Sequence, residues 1–239
     1  MNLRDTLGGF DMGNMANDQE LCSLIKGELF TAVVGDVLDR LNCRNQFLPP
    51  WIRPLRDDMI IAGRAMPVLE ADCTGVEIAA LQVRKPFGLM LEALDDLKKN
   101  DVYICTGSSH TYALWGENMT TRAMKLGAAG AVLDGFSRDT RGILSLGFPV
   151  FSCGSYAQDQ SIRGRVIDYG CPITFANGVV VHPGDVVFGD IDGVLIIPKE
   201  ISEKVIESAL ERVHGENLVR EALTSGMPAR EAFQKYGVM

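Results

Sequence analysis

The feature that most restricts the fold of this 239-residue chain is a strand, helix and strand succession between residues 101 and 135. The run DVYICTG (101–107) is short and apolar, and AGAVLDG (129–135) repeats that character after an amphipathic stretch from Glu117 to Leu126. Gly127 follows the last helical position, where a left-handed C-terminal cap favours glycine. Two short apolar strands joined through a helix predict a parallel βαβ unit. The C-terminal ends of both strands then share one edge of the sheet, where open α/β sheets bind ligands.

Charge marks both tips of that unit. In WGENMTTRAMKLGAAGAVLDGFSRD (115–139), Gly116, Glu117, Asn118 and Met119 start the helix, and their backbone N–H groups suit a carboxylate. Arg138 offers a planar fork that grips a carboxylate with two hydrogen bonds. Asp139 offers hard oxygen to Mg²⁺ or Mn²⁺, ions that take few protein carboxylates and keep several waters. Such a set suits a 2-oxo acid, with the cation on the keto and one carboxylate oxygen and Arg138 on the anion. An Arg-Asp pair after a strand also reads as a surface salt bridge or a helix cap, and spacing alone leaves that reading open.

Around this unit the pattern is mixed. From about Asp18 to Leu41 it is helical, with Leu21, Leu24 and Ile25 on one stripe, Val33, Val37 and Leu41 on another, and Thr31 as the second helix's cap. MIIAGRAMPVLEADC reads as a strand and SSHTYALWG as a loop. Phe87, Leu91 and Leu94 mark a helix. PVFSCG, GRVIDYG, ITFANGVVV, DVVFGD and GVLIIP are short strands between turns, and Lys199 onward is helical twice. The expected organisation is a mobile segment at 1–17, a core at 18–198, and C-terminal helices at 199–239 that belong to the same domain and to a subunit interface.

Several classes are excluded. A net charge of −8 without any basic cluster argues against nucleic acid. No apolar run is long enough to span a bilayer, and the N-terminus lacks a signal peptide's core, so a cytoplasmic location is expected. The six cysteines form no CxxC pair, and Cys105 and Cys153 read as small core residues. The histidines (110, 182 and 214) form no HExxH, so a zinc enzyme is not expected. Lys125 lies about 12 Å along the helix from Glu117, too far for a lysine-based aldolase. No GxGxG follows a strand to hold a nucleoside cofactor. His110 and Trp115 flank the predicted crevice, and Arg141 reads equally as a grip on a second substrate carboxylate or as a partner of Asp139 in the absence of metal, while Asp185, Asp190 and Asp192 fall in turns and read as bonding local backbone.

The 115–139 segment, with HPGDVVFGDIDGVLIIP (182–198), TAVVGDVLDRL near the start and the closing REAFQKYGV, resembles one family. It joins RraA, the regulator of ribonuclease activity A, with divalent-metal 4-hydroxy-4-methyl-2-oxoglutarate aldolases. The resemblance implies a swivelling α/β/β fold with a C-terminal helical extension, assembled as a trimer or as two stacked trimers with sites between subunits. It implies Asp139 as the metal ligand, Arg138 on the pyruvyl carboxylate, Glu117 ordering metal-bound water, and backbone amides after Glu117 on the substrate. Asp36 and Glu216 resemble acids that reach the site, one or both from an adjacent subunit. The implied activity is retro-aldol cleavage of a 4-hydroxy-2-oxo acid to pyruvate, with oxaloacetate decarboxylation as a related reaction. The ribonuclease-regulating branch lacks the acid after the arginine. A non-catalytic regulator of a ribonuclease or helicase is therefore the second reading.

Overall fold

The computed structural model describes residues 18–73 and 85–237. The mobile segment expected at 1–17 lies outside the described residues. Two helices, α1 (Asp18–Glu28) and α2 (Thr31–Arg40), precede a two-residue β1 (Arg53–Pro54) and the long β2 (Ile61–Asp72). Next come α3 (Met90–Asp95), β3 (Asp101–Thr106), β4 (Ala113–Trp115), α4 (Glu117–Leu126), β5 (Gly130–Leu133), β6 (Phe136–Ser137), α5 (Thr140–Leu146) and β7 (Val150–Ser152). The second half supplies β8 (Gly164–Tyr169), a hairpin of β9 (Ile173–Thr174) and β10 (Val180–Val181), then β11 (Val186–Asp190) and β12 (Gly193–Ile197). The chain closes with α6 (Ser202–Thr224) and α7 (Ala229–Tyr236).

The main sheet runs β1-β7-β5-β3-β2-β11-β12, with β8 also on β2. Strands β2, β3, β5 and β7 are mutually parallel, and β11, β12, β8 and β1 join antiparallel. The predicted βαβ unit is present, with Val102 opposite Gly130 and Cys105 opposite Leu133. Gly127 caps α4 in the left-handed region at φ 82°.

Strand periodicity explains the layering. Val102, Ile104, Val132, Phe151, Val187 and Ile196 face one shared interior, which the β9–β10 hairpin covers with Ile173, Val179 and Val181. Their sequence neighbours point outward. Tyr103, Cys105, Ala131 and Leu133 pack under α3, α4 and α5. Val186, Phe188, Leu195 and Ile197 pack under α1, α2 and α6. The result is a nearly closed mixed sheet between two helical layers, in the swivelling α/β/β arrangement that the sequence pointed to. Val205, Ile206 and Ala209 of α6 share that second outer cluster with α1 and α2. Among the described residues no helix is long and apolar enough to cross a membrane.

Four local readings change. Phe30, not Thr31, occupies the N-cap position of α2, and the cap comes from elsewhere. Asp190 accepts from the Thr31 backbone N–H and from its hydroxyl, both at 2.7 Å, tying β11 to the helix start. The SSHTYALWG segment contains β4 rather than loop alone, and α5 forms where the sequence showed no helical period. Cys153 is partly exposed, whereas Cys105 is fully buried as expected.

One buried group makes stability depend on pH. Glu70 sits at the irregularity in the β2–β8 pairing and is 2% exposed. Its Oε2 accepts from Gln160 Nε2 at 2.7 Å, while Oε1 has no partner among the described residues. Burial raises its pKa from 4.5 to about 8, against the lowering effect of Gln160. Between those values the folded state holds a proton that the unfolded state has released, so stability falls as pH climbs through that window. Glu70→Gln keeps the Gln160 contact and removes this dependence. Thermal melts from about pH 5 to about pH 9 should show the wild type losing stability relative to the variant, on the order of a few kcal/mol. Parallel curves would contradict the assignment.

Candidate active site

The tips of the βαβ unit meet because of a second, very small sheet. β4 pairs in parallel with β6, with Ala113 opposite Phe136 and Trp115 opposite Ser137. Each strand ends one residue before a tip, so Gly116 and Arg138 emerge side by side, and the Arg138 N–H donates to Trp115 O at 2.9 Å. Trp115 is buried, and its indole N–H donates to Thr120 Oγ1 at 2.7 Å, anchoring the first turn of α4. It is therefore a support for the helix start rather than a wall of the crevice. Arg141 lies at the rim.

Asp139 precedes α5 in the left-handed region (φ 57°, ψ 32°), a conformation that aspartate tolerates better than most residues. Its carboxylate makes no capping bond to α5. Oδ2 instead lies 3.4 Å from the Glu117 N–H and 3.8 Å from Arg138 Nε, and the side chain remains 49% exposed. Gly116 permits this approach, since a β-carbon there would stand 2.7 Å from Asp139 Oδ2. Gly142 plays the same part for Glu117, whose carboxylate occupies the space that a side chain on Gly142 would need. Thr120 N–H makes the first helical bond of α4, to Gly116 O, so the N–H groups of Glu117, Asn118 and Met119 precede the helical ladder.

Arg138 has a partner that the sequence did not reveal. Its Nη1 lies 2.9 Å from Asp159 Oδ1. Burial alone would raise the Asp159 pKa, but hydrogen bonds from Ser161 and the Arg138 charge outweigh it and hold the carboxyl below its ordinary range. Asp159 thus stays ionised and orients the guanidinium. Two open depressions share Asp139 and Thr140. One, of about 240 Å³, is lined by Arg138, Ser155 and Tyr156; the other, of about 580 Å³, by Glu117, Arg141, Gly142 and Ser145.

Asp36 and Glu216 come together elsewhere on the chain. Arg212 of α6 pairs with Asp36 through Nη2 and with Glu216 through Nε at 3.1 Å. Neither acid lines the depressions at Asp139. Within the chain the structure therefore assembles Gly116, Glu117, Asn118, Met119, Arg138 and Asp139, and it groups Asp36 with Glu216 separately. The residues that sequence reasoning missed are Asp159, Gly142 and Ser155. Asp159 lies in an irregular loop with no flanking period, and Ser155 is found only through its bond from Thr140 Oγ1 at 2.7 Å. Gly142 alone left a trace, a glycine inside an otherwise helix-compatible heptapeptide.

The donor set fits a hard divalent cation. A half-exposed carboxylate that makes no capping bond to its own helix, beside the start of α4 and with room on both sides, matches an ion that binds through one carboxylate and waters. Arg138 stands within reach of an anion sharing that ion.

Comparison with known proteins points to one family. Residues 31–196 match the RraA-like family, described as Aldolase/RraA. Protein DlpA of Legionella pneumophila is 27% identical over 209 residues, covering 86% of this chain but only 32% of its own length. The chain thus spans about a third of that relative. A protein of Halalkalibacterium halodurans, named "Putative 4-hydroxy-4-methyl-2-oxoglutarate aldolase", is 29% identical over 204 residues, 85% of this chain and 89% of that one. The crystal structure of Streptomyces coelicolor RraAS2, described as an unusual member of the RNase ES inhibitor RraA protein family, superposes with a TM-score of 0.72. It covers 85% of this chain and 97% of that one at 23% identity, a likeness of fold. By the extent of the family match, and with the fold in agreement, the chain belongs to the RraA-like family.

Proposed function

We propose that the chain is a divalent-metal-dependent lyase that cleaves a 4-hydroxy-2-oxo acid, of the 4-hydroxy-4-methyl-2-oxoglutarate type, to pyruvate. The observation that carries this reading is the half-exposed Asp139 carboxylate set between the Arg138 guanidinium and the N-terminus of α4. The aldolase name borne by the Halalkalibacterium relative supports it.

Asp139 would hold Mg²⁺ or Mn²⁺, which when bound supplies Lewis acidity to the substrate's 2-oxo group. Arg138, fixed through Nη1 by Asp159, keeps its remaining N–H groups for the substrate carboxylate. The N–H groups of Asn118 and Met119 donate to the same anion under the favourable end of the helix dipole. Glu117, seated over Gly142, accepts the proton of the 4-hydroxyl, directly or through a water. As that proton leaves, the C3–C4 bond breaks and its electron pair moves to C3, giving the enolate of pyruvate and a second carbonyl product. Protonation at C3 completes pyruvate. Oxaloacetate can follow the same electron flow with carbon dioxide as the leaving fragment.

Asp36 and Glu216 would join the site from an adjacent subunit of a trimer or hexamer. A cytoplasmic location is part of the same reading. Regulation of a ribonuclease is the second reading, favoured by the fold shared with RraAS2. Asp139 weighs against it, since a purely docking surface has no use for a half-exposed carboxylate held between the Arg138 guanidinium and the start of α4.

Two variants test the proposal in a coupled assay for pyruvate. Asp139→Asn should lower kcat/KM on the order of 10³-fold, and added Mg²⁺ should not restore it. Activity at the wild-type rate would contradict the metal assignment. Gly142→Ala should fold at least as well as the wild type, because alanine is favoured over glycine inside a helix by about 1 kcal/mol. It should nevertheless evict the Glu117 carboxylate and reduce kcat by about 100-fold, the scale of a lost general base. Unchanged kcat in that variant would remove Glu117 from the proton transfer.

A further inference from the structure

Three residues far apart in sequence converge beyond the C-terminal ends of the parallel strands. His110 follows β3, Asp134 follows β5 and Cys153 follows β7. One donor atom from each lies within 4.8 Å of the other two. His110 Nε2 is 3.0 Å from Asp134 Oδ1, and Cys153 Sγ is 3.9 Å from the same Nε2. We infer that His110, Asp134 and Cys153 form a second metal site, separate from Asp139, which takes a borderline-soft divalent ion such as Zn²⁺ and leaves one position open to water.

The spacing suits such an ion. Bonds of about 2.0–2.3 Å in a tetrahedral site hold ligand atoms roughly 3.3–3.8 Å apart. The observed separations bracket that range, so small side-chain rotations close the site without moving the strands. The ion would replace the proton shared between Nε2 and Oδ1.

Two plainer explanations fit less well. A nucleophilic Cys-His-Asp relay needs thiol and carboxylate on opposite ring nitrogens, whereas both face Nε2 here. A simple hydrogen-bonded cluster gives the buried Asp134 carboxylate a cationic partner only where His110 is protonated. The Asp134 side chain is 8% exposed, and among the described residues it makes no ion pair with lysine or arginine. Its other partners are the neutral Thr106 hydroxyl at 2.8 Å and the Trp51 indole N–H at 3.1 Å. A ring of neutral donors that fixes a carboxylate, without neutralising it, is the outer shell that metal-binding carboxylates carry.

The donor types also sort the two ions. Thiolate and imidazole favour zinc and its neighbours, whereas an oxygen-only site suits magnesium. His110 is 39% exposed and held between the Trp51 and Phe136 rings at 6.4 and 6.3 Å, so an ion there keeps access to solvent. This inference stands apart from the lyase reading, since its ligands are not those of the Asp139 site.

Cobalt titration of the full-length, chelator-treated protein tests it. Co²⁺ should bind with a sulfur-to-metal charge-transfer band in the near ultraviolet and the strong visible absorption of tetrahedral cobalt. Zn²⁺ should bleach both, and a large excess of Mg²⁺ should not. Cys153→Ser should abolish the charge-transfer band, His110→Ala should weaken Co²⁺ by more than about 10-fold, and Asp139→Asn should keep the band. Circular dichroism establishes that each variant is folded. Absence of the band in the wild type, its persistence in Cys153→Ser, or its displacement by Mg²⁺ would overturn the site.

Discussion

The parallel pairing of β4 with β6 is the contact on which the candidate site depends. These strands are three and two residues long, yet their alignment brings the start of α4 against the residues that precede α5. Without it, Glu117 and Asp139 would be joined only through the intervening helix, strand and turn. The pairing is fixed from beneath by the main sheet. Tyr103, Cys105, Ala131 and Leu133 form the floor on which α4 packs, and the Trp115 indole bonds into the first turn of that helix. The energy that holds the site is thus mostly apolar burial in strands that take no part in the chemistry.

Small residues then decide what the tips can do. Gly116 lets Asp139 approach the helix start, and Gly142 lets Glu117 lie flat on α5. Asp139 itself adopts a left-handed conformation before α5 and makes no cap there; its carboxylate faces the Glu117 N–H and Arg138 and stays half-exposed. Asp159 does the opposite work, occupying one edge of Arg138 and leaving the rest of the guanidinium free. Two aspartates thus take opposite positions, one exposed at the helix start and one paired with the guanidinium, and geometry alone separates them.

The helix and strand limits of the βαβ unit were legible because local signals agree there. Acid in the first turn, a glycine cap and uniform apolar strands all point the same way. Features set by long-range pairing were not. β4 and β6 are too short to show a period, and α5 contains a glycine that weakens its helical signature. The cap of α2 comes from Asp190, 159 residues away. His110, Asp134 and Cys153 share no motif, because the spacing of a metal site built across three strand ends is set by the sheet rather than by the chain. Charge pattern revealed Arg138 and Asp139, but it could not show that Asp36 and Glu216 would meet at Arg212.

Crystals grown with Mn²⁺ and oxalate, a stable mimic of a 2-oxo acid enolate, give the most direct test through manganese anomalous scattering. A peak within bonding distance of an Asp139 carboxylate oxygen is expected, with the oxalate lying between that ion and the Arg138 guanidinium. A peak at another position, or oxalate bound away from Arg138, would contradict the assignment of this edge as the active site.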